Sequence, residues 1–206
     1  MRDSLNSAIV DDAVDALRRG GVIVYPTETL YGLGADATNP SALAKLLALK
    51  VHRDGKPISV LVSERAMLDV VAARVAPIAE HLIERFWPGP LTLVVEARAD
   101  VSDELTAGSG TIGVRWSSHP IASALVARLN RPITAPSANP SGAAPATTIA
   151  EARAYFGDRI EVYVDAGTCS VGAGSTIVDA TGATPRILRE GAIPSRTIAA
   201  ALAEAA

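Results

Sequence analysis

The sequence predicts an α/β fold, on three observations. Short apolar runs of strand composition alternate with amphipathic stretches of helical period, as in VIVYP (22–26) followed by residues 39–49. Apolar residues make up 49% of the chain and aromatics only 4%, so the core is aliphatic. Links between elements are short, such as the PGP at 88–90, which favours a mixed sheet over a purely parallel one. At 206 residues the chain can bury a sizeable core, and one domain over 1–206 with no second domain is expected.

The elements follow in order. Val10, Ala13, Val14 and Leu17 form one stripe of a helix over 7–19, closed by Gly20 and Gly21. VIVYP is a strand ended by Pro26, after which Gly32 and Gly34 are expected to let the backbone turn tightly. Asn39 and Pro40 read as N-cap and first residue of a helix whose stripe is Leu43, Leu46 and Leu47. Extending that stripe by three residues reaches Lys50, a cation on an inward face that implies an anion nearby. PISVLVS (57–63) is a strand, 76–86 a helix stopped by Pro88, and LTLVVEA (91–97) and TIGVRW (111–116) are strands. A helix over 119–129 buries Ile121, Leu125 and Leu129, and RPITAP returns as a strand into SANPSG. Thr148 and Glu151 form a capping box. Strands EVYVD, STIVD and RILRE precede a helix from about Ser195, giving about seven strands and five or six helices in all.

Composition excludes several classes. No window approaches the roughly 18 apolar residues of a membrane span, and the N-terminus is acidic where a secretion signal would be apolar, so a cytoplasmic protein is expected. The single cysteine, Cys169, rules out an internal disulfide and reads as an inert small residue. His52, His81 and His119 lack zinc-type spacing, and a net charge of −3 argues against binding long nucleic acid through the overall field.

Polar clusters lie where strands end: Thr27, Glu28, Thr29 and Tyr31 after the first, Ser137, Ala138 and Asn139 after ITAP, and Ser175 and Thr176 after VGAG. Ligands of α/β sheets bind in crevices at strand ends, so these loops could converge on one pocket. Taken singly, each cluster is equally what an ordinary turn uses. Cations sharpen the choice. Lys50, His52, Arg53 and Lys56 follow a helix in KVHRDGK, Arg115 lies inside an apolar strand, and Arg189 ends another. Arg115 is therefore either on a polar sheet face or reaching for a carboxylate or phosphate. Several cations around one cleft suit a nucleotide triphosphate carrying Mg²⁺. No Ser-His-Asp or Cys-His arrangement is present, and SAN lacks the context of a nucleophile elbow.

Seven motifs in order, PTETLYGLGADA, KVHRDGKP, FWPGPLTLVV, GVRWSSHP, APSANPSG, GSTIVD and RILREGAI, make the chain similar to YrdC-like L-threonylcarbamoyladenylate synthases from about residue 8 to 200. The resemblance implies a twisted α/β fold, with a mostly mixed or antiparallel sheet flanked by helices around a positively charged cavity. It implies synthesis of threonylcarbamoyl-AMP and pyrophosphate from L-threonine, bicarbonate and ATP with Mg²⁺ on the phosphates and no organic cofactor. The product feeds partner proteins that carry out the tRNA threonylcarbamoyl transfer. By the same resemblance Thr29, Arg115, Ser137 and Ser175 surround threonine, and Lys50, His52, Arg53, Lys56, Thr111, Asn139, Thr147 and Arg189 surround ATP.

Two departures stand out. The K-x-R arginine of the family falls on His52, with Arg53 one residue later, and a histidine that some relatives place near threonine falls on Leu61. Two other readings are an RNA-binding module of the kind linked to ribosomal RNA maturation, and a related carbamoyl-adenylate enzyme. Net acidity and the absence of aromatic stacking platforms count against the first. The short chain lacks the further domains that usually accompany the second.

Overall fold

The computed structural model describes residues 2–50, 55–169 and 173–204. In chain order the elements are α1 (Arg2–Arg18), β1 (Ile23–Pro26), β2 (Tyr31–Gly34), α2 (Pro40–Leu49), β3 (Val60–Leu61), β4 (Ala72–Arg74), α3 (Pro77–Phe86) and β5 (Leu91–Ala97). They continue as α4 (Asp103–Thr106), β6 (Thr111–Arg115), α5 (Pro120–Leu129), β7 (Ile133–Thr134), α6 (Ile149–Phe156), β8 (Val162–Tyr163), β9 (Thr176–Asp179), β10 (Arg186–Arg189) and α7 (Ser195–Glu204).

The helix starts follow local chemistry. Asn39 Oδ1 accepts from the backbone N–H of Ser41 at 3.0 Å and of Ala42 at 3.3 Å, and Pro40, which has no N–H to satisfy, takes the first helical position. Pro77 and Pro120 open α3 and α5 in the same way. Both halves of the capping box at Thr148 and Glu151 are formed.

The main sheet runs β10-β9-β5-β6-β3-β7, with β4 also on β5, and a smaller sheet runs β2-β1-β8. β5 pairs antiparallel with β6 and parallel with β9, so the sheet is mixed, as the short links imply. Backbone bonds from Leu33 N to Pro136 O at 2.9 Å and from Thr134 N to Ala35 O at 2.9 Å stitch the two sheets together through β2 and β7. The core is aliphatic apart from a few buried aromatics, with Tyr25, Tyr31 and Phe156 the largest fully buried side chains among the described residues. No described helix is long and apolar enough to cross a membrane.

Three elements escape the sequence reading. β4 and the single turn of α4 are three and four residues long, too short to display a period. β2 contains two glycines, residues normally depleted in strands. Neither Gly32 nor Gly34 has the positive φ that a tight turn would require. Their role is close packing: a Cβ at Gly34 would sit 2.9 Å from Ile23 Cγ1, and one at Gly32 would sit 3.1 Å from Tyr25 Cζ. The expected strands PISVLVS (57–63) and RPITAP (131–136) shrink to two residues each; Ile58 N, for example, bonds to Leu105 O of α4 and not to a sheet neighbour.

Candidate active site

Where the two sheets meet, a cavity of about 570 Å³ opens between the turn after β1, β2, β5, β6, β9, β10 and the loop after β7. Its walls carry Thr29, Lys50, Lys56, Arg115, Ser137, Ser175 and Arg189. Seven side chains drawn from six separate stretches of sequence thus face one space, which no local turn explains.

The first wall is β6 and the turn after β1. In β6, Gly113 and Arg115 line the cavity, while the intervening Val114 is buried in the core. The Arg115 side chain is 8% exposed, and its Nη2 lies 2.8 Å from Glu28 Oε2, itself 18% exposed. Thr29 Oγ1 accepts from Arg115 Nη1 at 3.1 Å and from Nη2 at 3.2 Å, and Gly89 O accepts from Nε at 3.3 Å. The arginine therefore does reach for a carboxylate, but an internal one. Burial pushes the Glu28 carboxyl up, yet Arg115 and the hydrogen bonds from Ser117 and Arg115 outweigh it, so the net shift is downward. Glu28 stays ionised.

The second wall is the SAN loop and the end of α2. Lys50 caps α2 and donates from Nζ to Ser137 O and Asn139 O, both at 2.8 Å. The anion expected beside Lys50 is replaced by two carbonyl oxygens, which satisfy two of its three donors. Burial lowers its pKa to about 8, so it remains largely protonated at neutral pH. Ser137 Oγ donates to Asn139 Oδ1 at 2.5 Å, and Asn139 Nδ2 donates to Pro140 O at 2.9 Å and to Ala143 O at 2.7 Å.

The third wall is the β9–β10 hairpin. Arg189 donates from Nε and Nη2 to Ser175 O at 3.2 and 2.8 Å, and Ser175 Oγ pairs with Thr92 Oγ1 at 2.7 Å. A register shift between Ile187 and Arg189 sets Arg189, rather than Leu188, opposite the cavity-lining Ile177. Opposed residues share a face, and at this irregularity both Leu188 and Arg189 line the cavity. Burial and the nearby charge of Arg115 both lower the Arg189 pKa. An anion seated near the two arginines would relieve that repulsion.

All four residues grouped around threonine, Thr29, Arg115, Ser137 and Ser175, line this one cavity, as do Lys50, Lys56 and Arg189 of the group assigned to ATP. Thr111, Asn139 and Thr147 do not. Thr111 shares the face of Gly113 and Arg115 but sits at the far end of β6, bonded to Ser109 Oγ at 2.9 Å. The Asn139 amide is occupied in holding its own loop, and Thr147 Oγ1 donates to Glu151 Oε2 at 3.1 Å. His52 and Arg53 lie outside the described residues. The sequence reading missed Ser117 and Thr92 and named Glu28 only within a polar cluster, without its pairing to Arg115; their contacts join residues 83 to 89 positions apart. An acidic residue beside Thr29 was the only local signal for any of them.

Burial pushes the Cys169 thiol up, consistent with an inert residue. Among the described residues no group of three or more His, Cys, Asp or Glu could hold a metal ion.

Comparison with known proteins agrees with this architecture. A Thiobacillus denitrificans protein named threonylcarbamoyl-AMP synthase is 41% identical over 173 residues, 84% of this chain and 90% of its own length. A Pyrococcus abyssi protein of the same name is 35% identical over 204 residues, 99% of this chain and 60% of its own length. A crystal structure of P. abyssi Sua5 complexed with L-threonine superposes with a TM-score of 0.91 at 36% identity, covering 95% of this chain and 57% of that longer one. The family model Sua5_yciO_yrdC, described as "Telomere recombination", matches residues 15–191. The chain belongs to the Sua5/YciO/YrdC family.

Proposed function

We propose that this protein is an L-threonylcarbamoyl-AMP synthase, a nucleotidyltransferase that converts L-threonine, bicarbonate and ATP into threonylcarbamoyl-AMP and pyrophosphate. The observation that carries the reading is one cavity with two kinds of cationic wall. Arg115 stands with Thr29 on one, and Lys50, Lys56 and Arg189 stand on the others. Relatives named for this activity and a relative's complex with L-threonine support it.

Arg115 receives the threonine carboxylate, with Thr29 beside it and the hydroxyls of Ser137 and Ser175 within the same space. Lys50, Lys56 and Arg189 receive the triphosphate, and Mg²⁺ enters with ATP as part of the substrate. The deprotonated threonine amine captures CO₂ from bicarbonate, forming a C–N bond and releasing water. A carbamate oxygen then attacks the α-phosphorus, and the bond to the β-phosphate oxygen breaks with pyrophosphate taking the electron pair. Carbamate and triphosphate are both anions, so the residues act by orienting them and offsetting charge, with no covalent intermediate. The amine proton leaves to solvent or to a bound phosphate. The product is the donor for a tRNA threonylcarbamoyl transfer by partner proteins, a cytoplasmic role.

The test is pyrophosphate release by purified protein with ATP, Mg²⁺, bicarbonate and L-threonine. Release that requires both threonine and bicarbonate is expected, and release without either overturns the reading. Dependence on carbamoyl phosphate would instead indicate a related carbamoyl-adenylate enzyme.

A further inference from the structure

We infer that Glu28 is a positioning residue for the amino-acid substrate: it locks the Arg115 guanidinium from outside the cavity, so that the edge shared with Thr29 is the one presented to the substrate carboxylate. The inference rests on the synthase reading above. A guanidinium has five N–H donors in a fixed plane. Three are hydrogen-bonded, Nε by Gly89 O and one each on Nη1 and Nη2 by Thr29 Oγ1, and Nη2 also lies 2.8 Å from Glu28 Oε2 in an ion pair. Thr29 and Arg115 line the cavity and Glu28 does not, so the carboxylate grips the guanidinium on the side away from the ligand space.

When a substrate carboxylate arrives, one partner of the guanidinium has to yield or share. Glu28 is held by Arg115, by the Ser117 hydroxyl and by the backbone N–H of Ser118 at 3.3 Å. Thr29 offers only a neutral hydroxyl, which also pairs with Thr27 Oγ1 at 2.9 Å. Charge-assisted bonds are about twice as strong as neutral ones, so Thr29 is the exchangeable partner and Glu28 the fixed one. Because Glu28 and Thr29 are adjacent in one turn, the same backbone sets both the lock and the hydroxyl beside it.

Glu28→Gln removes the lock and also removes a negative charge that repels a carboxylate ligand, and these two changes act in opposite directions. If positioning dominates, Glu28→Gln raises the KM for threonine about ten-fold while leaving the KM for ATP within about two-fold. Glu28→Asp, which keeps the charge one methylene shorter, then recovers part of the loss. An unchanged or lowered threonine KM in Glu28→Gln overturns the inference, and so does a parallel loss in both substrates. Should Glu28→Gln fail to fold, Ser117→Ala leaves the ion pair in place and takes away one of the groups holding Glu28. A rise of about three-fold in threonine KM alone is then expected, and no rise overturns the inference. The unaltered protein assayed without threonine separates the two readings. Turnover there sinks the synthase reading itself, whereas threonine-dependent turnover with an unaffected Glu28→Gln sinks only the role of Glu28.

Discussion

Arg115 and Arg189 face the same cavity but are held in opposite ways. Arg115 is paired with the Glu28 carboxylate, whereas among the described residues Arg189 bonds only the carbonyl and hydroxyl oxygens of Ser175. Lys50 resembles Arg189, since its described partners are carbonyls. Arg115 is thus close to neutralised, and among the described residues no carboxylate pairs with Lys50 or Arg189. The difference shows how one cavity can separate an amino acid from a triphosphate: a zwitterion gains from an oriented fork at a balanced site, and a polyanion gains from cations whose charge is not already spent on a carboxylate.

The comparison is broken most easily at Arg115. Arg115→Ala is expected to raise the threonine KM about a hundred-fold while changing ATP binding little, measured by steady-state kinetics in both substrates. Equal loss of both would remove the distinction between the walls. The same substitution leaves the Glu28 carboxylate without its cation and should lower stability by about 2–4 kcal/mol in denaturant unfolding, the pair being only partly shielded from water. Arg189→Met provides the opposite case. It is expected to raise the ATP KM about ten-fold, and it should cost only about 1 kcal/mol of stability because no carboxylate is orphaned. A larger effect on threonine than on ATP would reverse the assignment of the walls.

The smallest effect sharpens the comparison through pH. Lys50 has its pKa lowered by burial to about 8, against an ordinary 10.5. Its charge is present below pH 8 and is lost as pH rises through that value, so the ATP KM should climb between about pH 8 and 9. Lys50→Arg, which cannot lose its proton in that range, should flatten the climb. For stability the sign is the opposite. The folded state holds a charged lysine less readily than the unfolded state, so this group opposes folding below pH 8, and the penalty is relieved as pH rises from 8 toward 10.5. A stability curve of Lys50→Met that runs parallel to the unaltered protein through that window would show that burial of the amine is not the cause.

Much of the architecture was legible because its signals are local. Asn39 before Pro40 and the Thr148–Glu151 box state where helices begin, and the period of Leu43 and Leu46 states which face is buried. Arg115 inside an apolar strand left two readings, a polar sheet face or an anionic partner, and the structure shows the second. The partner itself was not legible, because Glu28 lies 87 residues away and approaches only when the turn after β1 folds against β6. The glycines of β2 were misread for a related reason: their need is set by the ring of Tyr25 on the neighbouring strand, not by their own φ.

By itself the sequence determined the α/β class, the caps of the helices at Asn39 and Thr148 and the mixed sheet, all of which depend on residues within a turn or a strand of each other. Only the tertiary structure decided that Thr111, Asn139 and Thr147 fall outside the cavity lining, that Arg189 lies within it, and that Arg115 is paired with a carboxylate while, among the described residues, Lys50 and Arg189 are not. Those outcomes depend on distances between segments far apart in the chain, and charge balance in a cavity is a sum over whatever the fold brings within a few ångströms.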